Sequence, residues 1–132
     1  MNQLRSLLWG AIMAGAAVAI GAFGAHALKP MLIATGREDT FELAVRYQFY
    51  HSLALLVVGL LGRHIQAKQL GISALFFIAG ILILSGSLYV LSLTGITWLG
   101  AITPIGGICF LGGWLLLAVA ILRANYSTHR SD

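Results

Sequence analysis

The chain predicts an all-α fold, an integral membrane bundle of four transmembrane helices, and three observations carry that prediction. The 132 residues are 59% hydrophobic and 9% charged, where soluble domains carry roughly 25% charged residues. Mean hydropathy is +0.92, and a soluble chain of this size could not hide so much apolar surface. The charged residues also fall between apolar runs, most of them near the roughly 20 residues that a helix needs to cross a bilayer.

The basic balance, with a pI near 9.7, does not point to nucleic acid. The eight basic residues, Arg5, Lys29, Arg37, Arg46, Arg63, Lys68, Arg123 and Arg130, are scattered, each beside an end of an apolar run. No basic face can form from them, and they read as topology determinants flanking membrane spans. The single cysteine, Cys109, lies inside an apolar run. It permits no disulfide within one chain and no thiolate cluster, and reads as a small packing residue.

The first span is expected at Leu7 to Leu28. From Ser6 to Leu28 there are 22 residues that are neither charged nor histidine, longer than the roughly 7–15 residues of a signal-peptide core. A retained helix is therefore expected despite the cleavage-like Ala25-His26-Ala27. Gly10, Ala14, Ala17, Gly21 and Ala25 form one stripe of small residues, and Gly15, Ala19, Ala22 and His26 form a second; Gly24 adds to the same small-residue surface. Small residues let helices approach closely in lipid, so this helix is expected at the centre of the bundle with neighbours on more than one side.

Lys29 to Asp39 reads as a linker holding Pro30, Gly36 and the run Arg37-Glu38-Asp39. Asp39 with Glu42 three residues later has capping-box spacing, and Glu42 with Arg46 one turn on is the favourable acid-first order. A short amphipathic helical stretch is thus expected to lead into the second span, at about residues 47–62. Only 16 residues separate Arg46 from Arg63, so those arginines would have to snorkel. Ala44, Gln48, His51, Leu55, Gly59 and Gly62 make its inward stripe.

Between Lys68 and Arg123 lie 54 residues without a charge, too many for one helix. They predict a hairpin of two spans, about 70–93 and 103–122, turning at Thr94-Gly95-Ile96-Thr97-Trp98, with Trp98 at headgroup level. Thr103-Pro104 suits a helix start, proline being pre-shaped for the first turn; a longer helix kinked at Pro104 is the alternative. Gly86, Gly106, Gly107, Gly112 and Gly113 are read as close-packing positions. Four spans place both termini on one side. That side carries Arg5, Arg63, Lys68, Arg123 and Arg130 against Lys29, Arg37 and Arg46 on the other, which favours cytoplasmic termini by the positive-inside rule.

No charged residue sits near the middle of a span, which argues against an ion-coupled pump. Neither a P-loop, an HExxH nor a GxSxG pattern is present, so no enzyme chemistry is expected. The polar residues His26, Gln48, His51, Ser85, Ser87, Tyr89 and Thr103 are expected to meet near one membrane face, since polar groups in lipid need partners inside the protein. A network pinning the helices, a polar pocket for a small ligand, and a metal or haem site at His26 and His51 are three readings of that set. Two histidines without carboxylate or cysteine partners make an incomplete metal site, so no cofactor is expected. His64 and His129 read as solvated flanks.

Several runs carry a family resemblance: Gly21-Ala22-Phe23-Gly24-Ala25-His26, Tyr47-Gln48-Phe49-Tyr50-His51, Ser85-Gly86-Ser87-Leu88-Tyr89, Thr103-Pro104-Ile105-Gly106-Gly107 and Gly113-Trp114. In order along nearly the whole chain, they resemble the small bacterial membrane proteins of the domain of unknown function 423 family, the YgdD/YwdK-like proteins. Leu84 stands where relatives often have Phe. The resemblance implies a multi-span inner-membrane protein and brings no activity with it. The expectation is a non-catalytic membrane component or accessory subunit, in contact with lipid and with a homo-oligomer or larger membrane complex as partner. The alternative is a binding or permeation module for a small ligand, lipid or quinone at the polar face.

Overall fold

The computed structural model describes residues 1–128, and within them the fold is all-helical with four helical rods long and apolar enough to cross a membrane. His129 and Arg130 lie outside the described residues. Helix α1 spans Gln3–Ala25 and is capped by the Asn2 side chain, which accepts from the Arg5 N–H at 2.9 Å. It starts and ends a few residues earlier than the apolar run suggested. The expected linker contains a short helix of its own, α2 (Lys29–Ala34), with Pro30 in its first turn and Leu32 buried beneath it. Gly36, in the left-handed region at φ 65°, turns the chain into the next rod.

Helix α3 runs unbroken from Glu38 to Leu61. The amphipathic stretch is simply its opening turns, so the second rod has 24 residues and no shortage of length. Its start differs from the expected capping box: Arg37 is the cap position, without a side-chain bond, and Glu38 and Asp39 lie inside the first turn, where acidic groups suit the helix dipole. Glu42 and Arg46 pair at 3.9 Å and Lys29 pairs with Glu38 at 3.7 Å.

The third rod is helix α4 (Lys68–Gly80), a π-helical turn (Ile81–Ser85) and helix α5 (Gly86–Thr94). Nothing in the sequence marked the π turn. Gly95 closes α5 in the left-handed conformation at φ 78°, and a 3₁₀ turn (Thr97–Ala101) leads to helix α6 (Thr103–Thr128). The hairpin connection is therefore longer than five residues, and the last helix begins beside Pro104 rather than kinking there.

The rods pack as two antiparallel pairs joined by α3. On one side Gly10 meets Leu56, Gly21 meets Val45, Gly24 meets the Phe41 ring and Gly59 meets Leu7; on the other Gly80 meets Phe110, Gly106 meets Leu84 and Gly113 meets Phe77. The expectation of a central first helix is overturned. Four residues of α1 are buried against nine of α3: the first small-residue stripe packs on α3 through Gly10, Ala17 and Gly21, whereas Gly15, Ala19, Ala22 and His26 of the second are exposed. The whole inward stripe of α3, from Ala44 to Gly62, is buried.

The surface is not that of a water-soluble fold. Phe77, Leu32 and Leu55 are fully buried together with Ser6, Ser52, Ser73, Ser85 and Ser92, while Leu4, Leu111 and Leu122 stand exposed. Small residues at the helix seams allow the close packing that association in lipid uses, and the large apolar side chains left outside face the bilayer.

Candidate functional site

Gln48 and His51, one turn apart on the buried stripe of α3, organise the polar interior. The Gln48 side-chain amide donates to the Met13 carbonyl of α1 at 3.0 Å and accepts from the Tyr89 hydroxyl of α5 at 2.9 Å. One side chain thereby ties three helices. Ser52 donates back to the Gln48 carbonyl at 2.6 Å, which satisfies its hydroxyl locally.

His51 holds the second node. Its Nδ1 lies 2.8 Å from the Tyr47 carbonyl, and its Nε2 lies 3.2 Å from the indole Nε1 of Trp114 on α6. A carbonyl only accepts and an indole N–H only donates, so the ring is neutral with its proton on Nδ1. The imidazole stacks on Phe110 with centroids 3.4 Å apart and planes 9° apart, and Phe77, Tyr47 and Trp114 close around it. This aromatic box joins α3, α4 and α6.

Ser87 and Thr103 make a separate link, 3.1 Å between their hydroxyls, tying α5 to the start of α6. Ser85, fully buried at the end of the π turn, has no hydrogen-bond partner among the described residues. The expected single network is thus divided: Gln48 with Tyr89 and His51 with Trp114 in one region, Ser87 with Thr103 in another, and Ser85 alone.

His26 does not join either. It is exposed at the C-cap of α1. Its near neighbour Gly24 faces Phe41, ten residues before His51, or about 15 Å along the helix axis at 1.5 Å per residue. The two histidines sit at different levels, His26 at the end of α1 and His51 near the middle of α3. Among the described residues no three of His, Cys, Asp and Glu come together.

Of the packing positions, Gly10, Gly21, Gly24, Gly59, Gly106, Gly112 and Gly113 all face a neighbour that a methyl group would crowd, and Ala14 is half-buried on the same stripe. Gly86 and Gly107 are different: open space surrounds the position a side chain would take, so they are not close-packing sites. Absent from the expected set were Trp114 as a hydrogen-bond donor and Ser73, which donates to the Gly113 carbonyl across the α4–α6 seam at 2.7 Å. A serine inside an apolar run was the available signal for Ser73.

Apart from Ser85, the buried polar side chains of these clusters bond within the chain, and among the described residues no nucleophile–base pair is among the contacts. The family model described as "Protein of unknown function (DUF423)" matches residues 20–107. The chain belongs to the DUF423 family. That confirms the resemblance carried by its glycine, histidine and tyrosine motifs. Among its relatives, a "UPF0382 membrane protein" of Staphylococcus epidermidis is 45% identical over 117 residues, covering 89% of this chain and 94% of the relative. A second, "UPF0382 membrane protein YwdK" of Bacillus subtilis, is 40% identical over 118 residues, covering 89% and 95%. A third, "UPF0382 membrane protein SAB0533" of Staphylococcus aureus, is 44% identical over 117 residues. No solved structure matches the chain. With four spanning rods and relatives named as membrane proteins, this DUF423 chain is a membrane protein that carries no indicated catalytic activity.

Proposed function

We propose that the protein is a non-catalytic component of the bacterial inner membrane, acting through packing and assembly as an accessory subunit rather than through chemistry. The observation that supports this reading is the internal satisfaction of the Gln48–His51 cluster. Both His51 nitrogens and both ends of the Gln48 amide have partners within the chain. A metal or haem would have to displace Trp114 or Tyr47, and a polar ligand would have to open the aromatic box. Neither a cofactor nor a substrate is part of this reading. Both termini are placed in the cytoplasm on the basic-residue asymmetry, and the partners are further membrane helices, of a second copy or of a larger complex.

Native mass spectrometry of the protein released gently from its own membrane, beside a His51→Ala variant, tests the reading. The expected species are the chain, its multiples or complexes with other proteins, with phospholipid as the only small adduct. A fixed non-lipid mass carried by the wild type and lost from His51→Ala would make the cluster a ligand site and overturn it.

A further inference from the structure

We propose that the furrow between α1 and α5 is a seat for one acyl chain of an anionic phospholipid whose phosphate meets Arg37. Helices α1 and α5 each lie against α3 and leave between them a furrow of about 490 Å³. Ala19 and Phe23 form one wall, Leu93 the other, Phe41 and Tyr89 the floor, and Leu28 the mouth. Its surface holds no polar atom, and the Tyr89 hydroxyl is turned inward onto Gln48. A quinone or solute headgroup would find no hydrogen-bond partner there, whereas a hydrocarbon tail needs none. The wall from Ala19 to Phe23 runs one helical turn, about 6 Å of groove at 1.5 Å per residue, the same rise as from Tyr89 in the floor to Leu93.

Charge at the mouth selects the headgroup. Arg37, the cap residue of α3, accepts the Phe41 N–H at 3.1 Å, which places it one turn beyond the Phe41 floor, outside the apolar lining itself. Its guanidinium reaches across to α5, where a methyl group on Gly95 would lie 2.9 Å from Nη1, two residues beyond Leu93. Among the described residues no carboxylate lies in salt-bridge range of it; the ion pairs nearby are Lys29 with Glu38 and Arg46 with Glu42. Asp39, two residues from Arg37, points off the opposite side of the helix. An arginine over an apolar furrow at the end of two spans fits phosphate above and acyl chain below.

The test places the full chain in phosphatidylcholine vesicles doped with phosphatidylglycerol or phosphatidylcholine bearing a diazirine in one acyl chain. Crosslinked residues are mapped by mass spectrometry. Labelling at Ala19, Phe23 and Leu93 is expected to exceed that at Leu111 and Leu115 of α6, although those are 71% and 66% exposed. Phosphatidylglycerol is expected to label the furrow about fivefold more than phosphatidylcholine, the factor one basic residue contributes near an anionic lipid. Arg37→Gln removes that preference, and Ala19→Phe, filling the furrow from its deep end, lowers its labelling to the level of Leu111. Labelling of the wild type that follows exposure alone, or that ignores the headgroup, overturns the proposal without either variant. A lipid seat can fail in this way while the assembly role stands, and the mass-spectrometric result at His51 leaves the furrow untouched.

Discussion

His51 and Ser85 show opposite fates for a polar side chain in an apolar interior. His51 has two hydrogen bonds and a stacked ring; the Ser85 hydroxyl has nothing among the described residues. An unpaired buried hydroxyl costs about 1–3 kcal/mol, so Ser85→Ala is expected to stabilise the bundle. Ser73→Ala, which loses the bond to the Gly113 carbonyl, is expected to destabilise it by roughly 0.6 kcal/mol, the average for an interhelical bond in a membrane. Thermal unfolding in one detergent compares the two; a Ser85→Ala protein that melts earlier than wild type would mean the hydroxyl has a partner after all. At this scale the sequence exposed one side of each contact. Gln48, His51, Ser87, Tyr89 and Thr103 stand out as polar letters in apolar runs. Their acceptors at Met13 and Tyr47 are backbone carbonyls, which every residue possesses, and Trp114 reads equally well as a lipid-facing aromatic.

Neighbouring glycines on α6 separate packing from tolerance. A methyl group on Gly106 would lie 2.5 Å from the backbone nitrogen of Leu84, whereas one on Gly107 would meet open space. Backbone cannot swing aside as a side chain can, so Gly106→Ala is expected to cost about 1–3 kcal/mol through overpacking. Gly107→Ala is expected to gain up to about 1 kcal/mol from helix propensity. Equal shifts for the two in denaturant titrations of the reconstituted protein would sink this account of the α4–α6 seam. The existence of every spanning rod was legible from hydropathy, and the α3 stripe from its spacing. The short α2 and the extra turn after Thr97 were not, because polar connections between spans obey turn chemistry rather than a strong periodicity. The second stripe on α1 misled for a physical reason: small residues permit close approach on a face without specifying that a neighbour occupies it.

For the whole molecule, four rods long and apolar enough to cross a membrane, with an apolar exterior, suit a bilayer, and the orientation proposed from the distribution of charge is open to test. Introduced cysteines at Arg37 and Gln66, in a Cys109→Ala background, are expected to react with an impermeant thiol reagent from outside and only after lysis, respectively. The reverse pattern would invert the orientation while leaving the fold intact. Composition alone marks the solvent; which helix lies at the centre depends on how the pairs dock rather than on any one segment.

The π turn at Ile81–Ser85 adds a matter of register. A turn closed by i→i+5 bonds takes up one residue more than an α turn, so the third rod carries one residue more than a regular helix presenting the same faces. Upstream Phe77 and downstream Tyr89 keep the faces they would have in a regular helix one residue shorter. Heptad or 3.6-residue counting across the turn therefore slips by one, and equivalent positions in a relative lacking the turn are found by removing a residue between Ile81 and Ser85, and nowhere else in that rod.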